Sequence, residues 1–247
     1  MHLELRAERR PARGRDSILK ISAITLDLDD TLWPVEPAIV AAEAALREWI
    51  LANCPGAESD WPTERLQALR AQVWTEHPHL AHDFSALRMI AIERILAPYG
   101  LPASAADEAF AVFFRARNEV SLYPEAREAL AQLAGRVPIV ALTNGNACLR
   151  TIGLDHYFHD AVHARDAGVA KPAAAIFHLA CTRAQALPER VLHVGDHPLQ
   201  DVIGARQAGL QTMWLDRGMH LWPEHETPAQ RCKDLSQLVE AVLPLLD

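Results

Sequence analysis

The chain has no apolar run long enough to cross a bilayer. Even the stretch from Ala38 to Leu51 is interrupted by Glu43, Arg47 and Glu48, whereas a spanning helix needs about 20 consecutive, mostly apolar residues. Clustered positive charge is also lacking: 24 Lys and Arg stand against 32 Asp and Glu, a formal charge of -8. That balance argues against a nucleic-acid binder, because backbone affinity comes from massed basic side chains that release counterions. Any phosphate recognised here must be gripped locally. Cysteine is scarce as well. Cys54, Cys148, Cys181 and Cys232 are scattered, with no C-x-x-C pair and no zinc-ligand spacing, which disfavours a disulfide framework and suits a reducing cytoplasm. Residues 1–20 carry Arg6, Arg9, Arg10, Arg13, Arg15 and Lys20 but no apolar signal core, and Glu4, Glu8 and Asp16 argue against an organelle presequence. They are read as a flexible tail. The expectation is a cytoplasmic protein, monomer or homodimer, that binds neither membrane nor nucleic acid.

What is present is enough for a large core, since half of the 247 residues are hydrophobic. Ser22–Leu28 is a short, apolar, β-branched run that ends in acids, as a buried strand does. Further strands are expected at Val137–Leu142, Asp160–Ala164, Val191–Val194 and Thr212–Leu215, separated by helices at Pro124–Leu133, Pro172–Ala184 and Leu199–Ala208. This alternation predicts an α/β fold with a parallel sheet covered by helices on both faces. Between the first strand and the second lies a long helical stretch, in which Ile39, Ala42, Leu46 and Ile50, and later Met89, Ile92, Ile95 and Leu96, recur at helical spacing. A connection of that length is no simple crossover. Residues 34–123 are therefore read as an inserted α-helical cap of about four helices, and 21–33 with 124–247 as the core.

Ligands of open parallel sheets sit outside the carboxyl ends of the strands, and there the chain places chemistry. Asp27 and Asp29 follow the first strand, and the two-residue period puts both on one side while Leu28 faces away. Two acids can serve as nucleophile and proton donor for cleavage of a phosphate ester. Alone, Asp-Leu-Asp-Asp-Thr equally suits an exposed turn or a helix N-cap. After the second strand, Thr143-Asn144-Gly145 offers a hydroxyl, backbone N–H groups and a permissive glycine for phosphate oxygens. Lys171 precedes Pro172, read as the first turn of a helix, and could stabilise spreading charge. Asp196 ends the Val191 strand, and Asp201 opens the following helix. Magnesium takes a few carboxylates plus water and phosphate, for which Asp27 and Asp196 are the natural pair.

In that order DLDDTL, LTNG, Lys171-Pro172 and VGDHPLQD resemble the four motifs of the haloacid dehalogenase (HAD) superfamily, and the helical insertion is similar to the cap of its first subfamily. The resemblance implies a Rossmann-like core and Mg2+. It implies Asp27 as nucleophile and metal ligand, and Asp29 as general acid and base whose carbonyl also binds the metal. Thr143 and Asn144 would bind phosphate, Lys171 would order phosphate and nucleophile, Asp196 would ligate Mg2+, and Asp201 would support it. Asp30 stands where the superfamily often has Gly. A narrower resemblance, carried by TNGNA, GLDHYF and VLHVGD with His82, Asp83 and Arg88 in the cap, is to bacterial phosphatases of flavin mononucleotide and 5-amino-6-(5-phospho-D-ribitylamino)uracil in riboflavin synthesis. The expected partner is thus a small phosphate ester.

Other residues carry weaker signals. His77, His79 and His82 lack a fourth zinc ligand and are read as surface or substrate-facing. His197 is given no role. Arg88, Arg115 and Arg117 are read as solvated or ion-paired, with Arg88 the foremost cap contact for a leaving group. Trp33, Trp49, Trp61 and Trp74 could stack a flavin but more simply fill a core. Rival functions are a dehalogenase, which needs neither metal nor leaving-group proton, a phosphatase for sugar phosphates or phosphoglycolate, a phosphosugar mutase, and a phospho-accepting signalling module.

Overall fold

A computed structural model of the chain describes residues 20–227 and 229–246. The proposed tail, apart from Lys20, lies outside the described residues. No helix among the described residues is long and apolar enough to cross a membrane.

Six strands, β1 (Ala23–Leu26), β2 (Ile139–Thr143), β3 (Asp160–His163), β4 (Val191–Gly195), β5 (Gln211–Leu215) and β6 (Arg231–Cys232), form one parallel sheet in the order β3-β2-β1-β4-β5-β6. β1 is flanked on both edges, with Ile24 level with Ile139 of β2 and Leu192 of β4. It is buried throughout, which explains a run of apolar residues instead of an alternating one. The sequence runs outward from β1 to β3, then crosses back to β4. This reversal opens a crevice at the carboxyl ends of β1 and β4.

The helices are α1 (Val35–Asn53), α2 (Ala57–Asp60), α3 (Thr63–Glu76), α4 (Phe84–Leu96), α5 (Ala105–Arg117), α6 (Ala126–Ala134), α7 (Leu149–Ile152), α8 (Ala164–Ala167), α9 (Ala174–Arg183), α10 (Gly204–Gln207) and α11 (Leu235–Val242). On one sheet face, Leu130 and Leu133 of α6 and Leu238 and Val242 of α11 join Ile24, Leu26 and Leu28 in a buried cluster. On the other, Ile176, Phe177 and Ala180 of α9 pack with Val140, Leu142 and Val162.

Helices α1 to α5 have a buried cluster of their own, including Leu46, Ile50, Val73, Ile92, Ile95 and Phe113. In α1 the buried stripe is Ala38, Ala42, Leu46 and Ile50, a strict four-residue spacing. Ile39, placed in that stripe by the sequence, is half-buried and lines the cavity described below. Met89 is likewise half-buried. Two other expectations shift. α9 begins at Ala174, two residues beyond Pro172, and the helix expected at Leu199–Ala208 is a π-type turn, Pro198–Ile203, leading into α10.

Candidate active site

Asp27 leaves the end of β1 with its backbone N–H donated to Val194 O at 3.0 Å, so the sheet ladder itself fixes where this carboxylate stands. Lys171, from the loop between α8 and α9, donates from Nζ to Asp27 Oδ1 at 2.7 Å and to Asp201 Oδ1 at 2.6 Å. Asp196, at the end of β4, is the third acid. Carboxylate oxygens of Asp27, Asp196 and Asp201 all lie within 4.8 Å of one another, and all three residues are buried. The π-type turn places Asp201 here. Its Oδ2 accepts from His197 N at 2.9 Å, its Oδ1 accepts from His193 Nε2 at 3.1 Å, and its side chain covers Gly195 so closely that an added Cβ would overlap it.

Burial pushes Asp27 well above the usual carboxylate range; Lys171 opposes this, and Asp201 and Asp196 add to it. Burial also works against the charge on Lys171, but Asp201 and Asp27 outweigh it and hold the ammonium above its ordinary value. Burial likewise disfavours ionised Asp201, yet Lys171 and His193 hold it well below the usual range. Asp196 is pushed up to about 7 by burial and by the charges of Asp201 and Asp30. One ammonium among three acids leaves the cluster short of positive charge, and its donors are all hard oxygens at close range. A divalent cation of the magnesium type fits that set. Asp27 and Asp196 are the side chains that would hold it, with Asp201 beside them engaged by Lys171, His193 and the His197 N–H; the Asp29 side chain is not in this group and only its main-chain carbonyl would serve.

Asp29 instead accepts from Arg117 Nη2 at 2.7 Å on Oδ1 and 2.6 Å on Oδ2, and from Trp33 Nε1 at 2.9 Å on Oδ1. It and Asp27 nevertheless face one cavity while Leu28 joins the core, as the two-residue period requires. Thr143 ends β2 and accepts from Gly145 N at 2.9 Å through Oγ1, so its own proton is available to a ligand. The Asn144 side chain is taken up by the lysine loop. Its Nδ2 donates to Lys171 O at 3.1 Å and to Gln200 Oε1 at 3.0 Å, while its Oδ1 accepts from Lys171 N at 2.8 Å. It clamps that loop beside the turn whose backbone N–H groups are the candidate phosphate donors.

These groups open into a cavity of about 600 Å3 roofed by α1, α3, α4 and α5, with Ile39, Trp74, Phe84, Leu87, Ala91 and Phe113 on its apolar side. Arg88 lines it but is ion-paired to Glu43 at 2.7 Å and stacked over Phe113. The four tryptophans divide: Trp33 and Trp61 are buried, Trp49 packs against the insertion's core, and Trp74 is 49% exposed beside Phe84, with ring centroids 5.7 Å apart. His77, His79 and His82 form no metal-ligand group among the described residues.

Sequence reasoning missed several residues. Arg117, expected to be solvated or ion-paired, is ion-paired to Asp29 at 2.6 Å, but at 1% exposed it is buried in the site and not on a helix surface. Its signal was present, because Ala105, Ala109, Phe113 and Arg117 follow one four-residue stripe that is buried throughout. His193 is buried between Thr25 Oγ1, at 2.8 Å from Nδ1, and Asp201. Burial holds it below its ordinary value, so the neutral ring donates from Nε2 to Asp201 and accepts at Nδ1. His220 Nε2 lies 3.2 Å from Asp196 Oδ2, a contact supplied by a loop without any motif.

With this geometry in place, comparison with known proteins is specific. Residues 21–209 match the family model described as haloacid dehalogenase-like hydrolase. The chain is 32% identical over 231 residues to the 5-amino-6-(5-phospho-D-ribitylamino)uracil phosphatase YigB of Escherichia coli K12, covering 90% of this chain and 97% of that one. It is 31% identical to the glyceraldehyde 3-phosphate phosphatase of Methanopyrus kandleri, over 81% and 86% of the two chains. Among solved structures, a 2-haloacid dehalogenase from Pseudomonas syringae pv. Tomato DC3000 superposes with a TM-score of 0.83 at 38% identity, covering 91% of this chain and 99% of that one. The chain therefore belongs to the haloacid dehalogenase-like hydrolase family, as one of its phosphatase-type enzymes.

Proposed function

We propose that the chain is a Mg2+-dependent phosphate-monoester hydrolase that works through an aspartyl phosphate on Asp27. Its substrate would be a small metabolite such as flavin mononucleotide or 5-amino-6-(5-phospho-D-ribitylamino)uracil, handled in the cytoplasm. Residues 21–33 and 124–247 act as the catalytic core and 34–123 as a cap over the substrate. The observation that carries the reading is Lys171 Nζ held between Asp27 Oδ1 and Asp201 Oδ1 at 2.7 and 2.6 Å, with Asp196 alongside.

Each residue's part follows from its place. Lys171 opposes the protonation of Asp27 that burial favours and aims one of its oxygens, and with the charge of a bound cation added the ionised carboxylate can attack phosphorus. The Thr143 hydroxyl and the backbone N–H groups that follow it bind the transferring oxygens. Asp29 gives a proton to the leaving alkoxide and takes one from water in the second displacement. Asp201 anchors Lys171 and is itself fixed by His193. Held by Asp27, Asp196 and the main-chain carbonyl of Asp29, with Asp201 in support, Mg2+ would supply the positive charge that draws a dianionic ester toward an anionic nucleophile.

Two observations bear on the alternatives. Displacement of a halide needs neither a leaving-group proton nor a cation, and would leave Asp196, buried close to Asp27 and Asp201, without a purpose, which favours phosphate. Trp74 and Phe84, both exposed into the cavity among aliphatic side chains, offer planar faces to a heterocycle and few hydrogen bonds to a bare sugar or to glycolate. Relatedness to the Escherichia coli enzyme supports the same substrate class.

The test is release of inorganic phosphate from flavin mononucleotide, the ribitylaminouracil phosphate, a sugar phosphate and phosphoglycolate, with and without Mg2+. Turnover should require the ion, prefer the two heterocyclic esters and vanish in Asp27→Asn with the circular dichroism spectrum unchanged. Persisting metal-dependent turnover in that variant would refute the nucleophile. Halide release from a 2-haloacid with no phosphate release from any ester would refute the reaction.

A further inference from the structure

Asp29, the residue assigned to proton transfer, takes its orientation from outside the core. We propose that Arg117, at the last position of α5, is a positioning residue that holds the Asp29 carboxylate with Oδ2 turned toward the phosphate loop. The proposal rests on the phosphatase reading above.

Three observations converge on it. Oδ1 accepts from both Arg117 Nη2 and Trp33 Nε1, whereas Oδ2, among the described residues, accepts from Arg117 Nη2 alone. A carboxylate has about four lone-pair sites, so Oδ2 is the oxygen with capacity left to exchange a proton. Next, a Cβ added at Gly145 would strike Asp29 Oδ2 and come within 3.2 Å of Thr143 Oγ1 and 3.4 Å of Arg117 Nη2. The oriented oxygen therefore leans over the loop assigned to phosphate, in space that only a glycine leaves open. Last, Arg117 is 1% exposed and its Nη1 is buried without a hydrogen-bond partner among the described residues. Burying a guanidinium with an unsatisfied donor is costly, and the Asp29 contact is what it secures.

The mount is rigid. Asn118, which follows Arg117, is 3% exposed and accepts from Cys148 N at 2.6 Å through Oδ1 while donating to Phe114 O at 2.7 Å. The end of α5 is thus pinned to the segment after β2, and the insertion supplies part of the acid's support. Because one nitrogen spans both carboxylate oxygens, the side-by-side fork that distinguishes Arg from Lys is not used here. An ammonium should therefore substitute in part.

The experiment is a double-mutant cycle in the full chain with Mg2+, using Arg117→Met, Arg117→Lys and Asp29→Asn. The substrate is p-nitrophenyl phosphate, whose leaving group needs little protonation, so kcat reads chiefly the second displacement, in which Asp29 takes a proton from water. Misplacing a catalytic group by about 1 Å can cost about 100-fold. Arg117→Met should lower kcat by about that factor with KM held within about threefold, and Arg117→Lys should recover a substantial part of the loss. In the Asp29→Asn background Arg117→Met should cost less than about threefold, since residues acting as a unit are not additive. Losses that multiply in the cycle, or a rise in KM at constant kcat, would overturn the assignment. Should Arg117→Met not fold, Arg117→Lys carries the same cycle, with non-additivity supporting the proposal and additivity refuting it. Wild-type protein that releases no phosphate from any ester would remove the phosphatase reading itself, a result distinct from additivity in an active enzyme.

Discussion

Replacing Asp196 by Asn should stabilise the metal-free protein while destroying its response to Mg2+. Asp196 is 6% exposed, and burial together with the charges of Asp201 and Asp30 displaces it from the ordinary 3.8 to about 7. A group whose folded value is raised binds more protons in the folded state, so its ionisation opposes folding. The deficit opens as pH rises above the unfolded value near 4 and is complete above pH 7. At about 1.36 kcal/mol for each pH unit, the displacement corresponds to about 4 kcal/mol. Asparagine removes that charge at the same size. For a chain of this length about 1 kcal/mol moves the melting temperature by about 2–4 °C, so Asp196→Asn should melt about 8–16 °C above wild type at pH 8 without metal, with the difference closing toward pH 4. Saturating Mg2+ should raise the wild type strongly at pH 8 and less at pH 5, where protons compete, and should leave the variant nearly unmoved. Thermal melts across pH 4–8 with Mg2+ or EDTA measure all three. Equal melting temperatures at pH 8, or an undiminished Mg2+ shift in the variant, would show that Asp196 is neither the strained acid nor a metal ligand.

Two smaller tests address the neighbours. Trp74→Ala should raise KM for flavin mononucleotide by about 10-fold, within the roughly 1–3 kcal/mol of a lost base–aromatic stack, and leave that for phosphoglycolate unchanged; equal effects on both would remove Trp74 from the leaving-group site. Gly195→Ala places a methyl where the buried Asp201 carboxylate stands, and overpacking of that kind costs about 1–3 kcal/mol. Denaturant titration should register the loss, and a variant with wild-type stability and turnover would mean that Asp201 is free to move aside.

Much of the architecture was readable because buried parallel strands advertise themselves. Five of the six strands were located from short apolar runs, with no end shifted by more than two residues. β6 was not, since Arg231 and Cys232 make a two-residue strand with no period to detect. Asp27, Thr143 and Asp196 were legible because each sits at or just beyond a strand end, where sequence order maps onto a single edge of the sheet, whereas Lys171, in the loop between α8 and α9, was marked by its Lys-Pro motif. What escaped were groups whose place depends on packing between distant segments. Arg117 lies on an apolar stripe and reaches across to Asp29, 88 residues away. Asn144 turned its side chain to the lysine loop because that loop's backbone N–H and C=O both come within reach. Arg88 met Glu43 across the insertion and so is committed to an ion pair while lining the cavity.

The central position of β1 has a consequence for how such a molecule can diversify. The strand that ends at Asp27 is laced to a neighbour along each edge, so the site rests on the innermost part of the sheet. The roof of the cavity is built from helices that close over an interior of their own. Exchanging side chains on that roof, Trp74 or Phe84 for instance, alters what fits beneath it without loosening a single rung of the ladder that fixes the Asp27 carboxylate. Selectivity and reactivity are thereby kept on separate structural foundations, with Arg117 as one bolt that joins them.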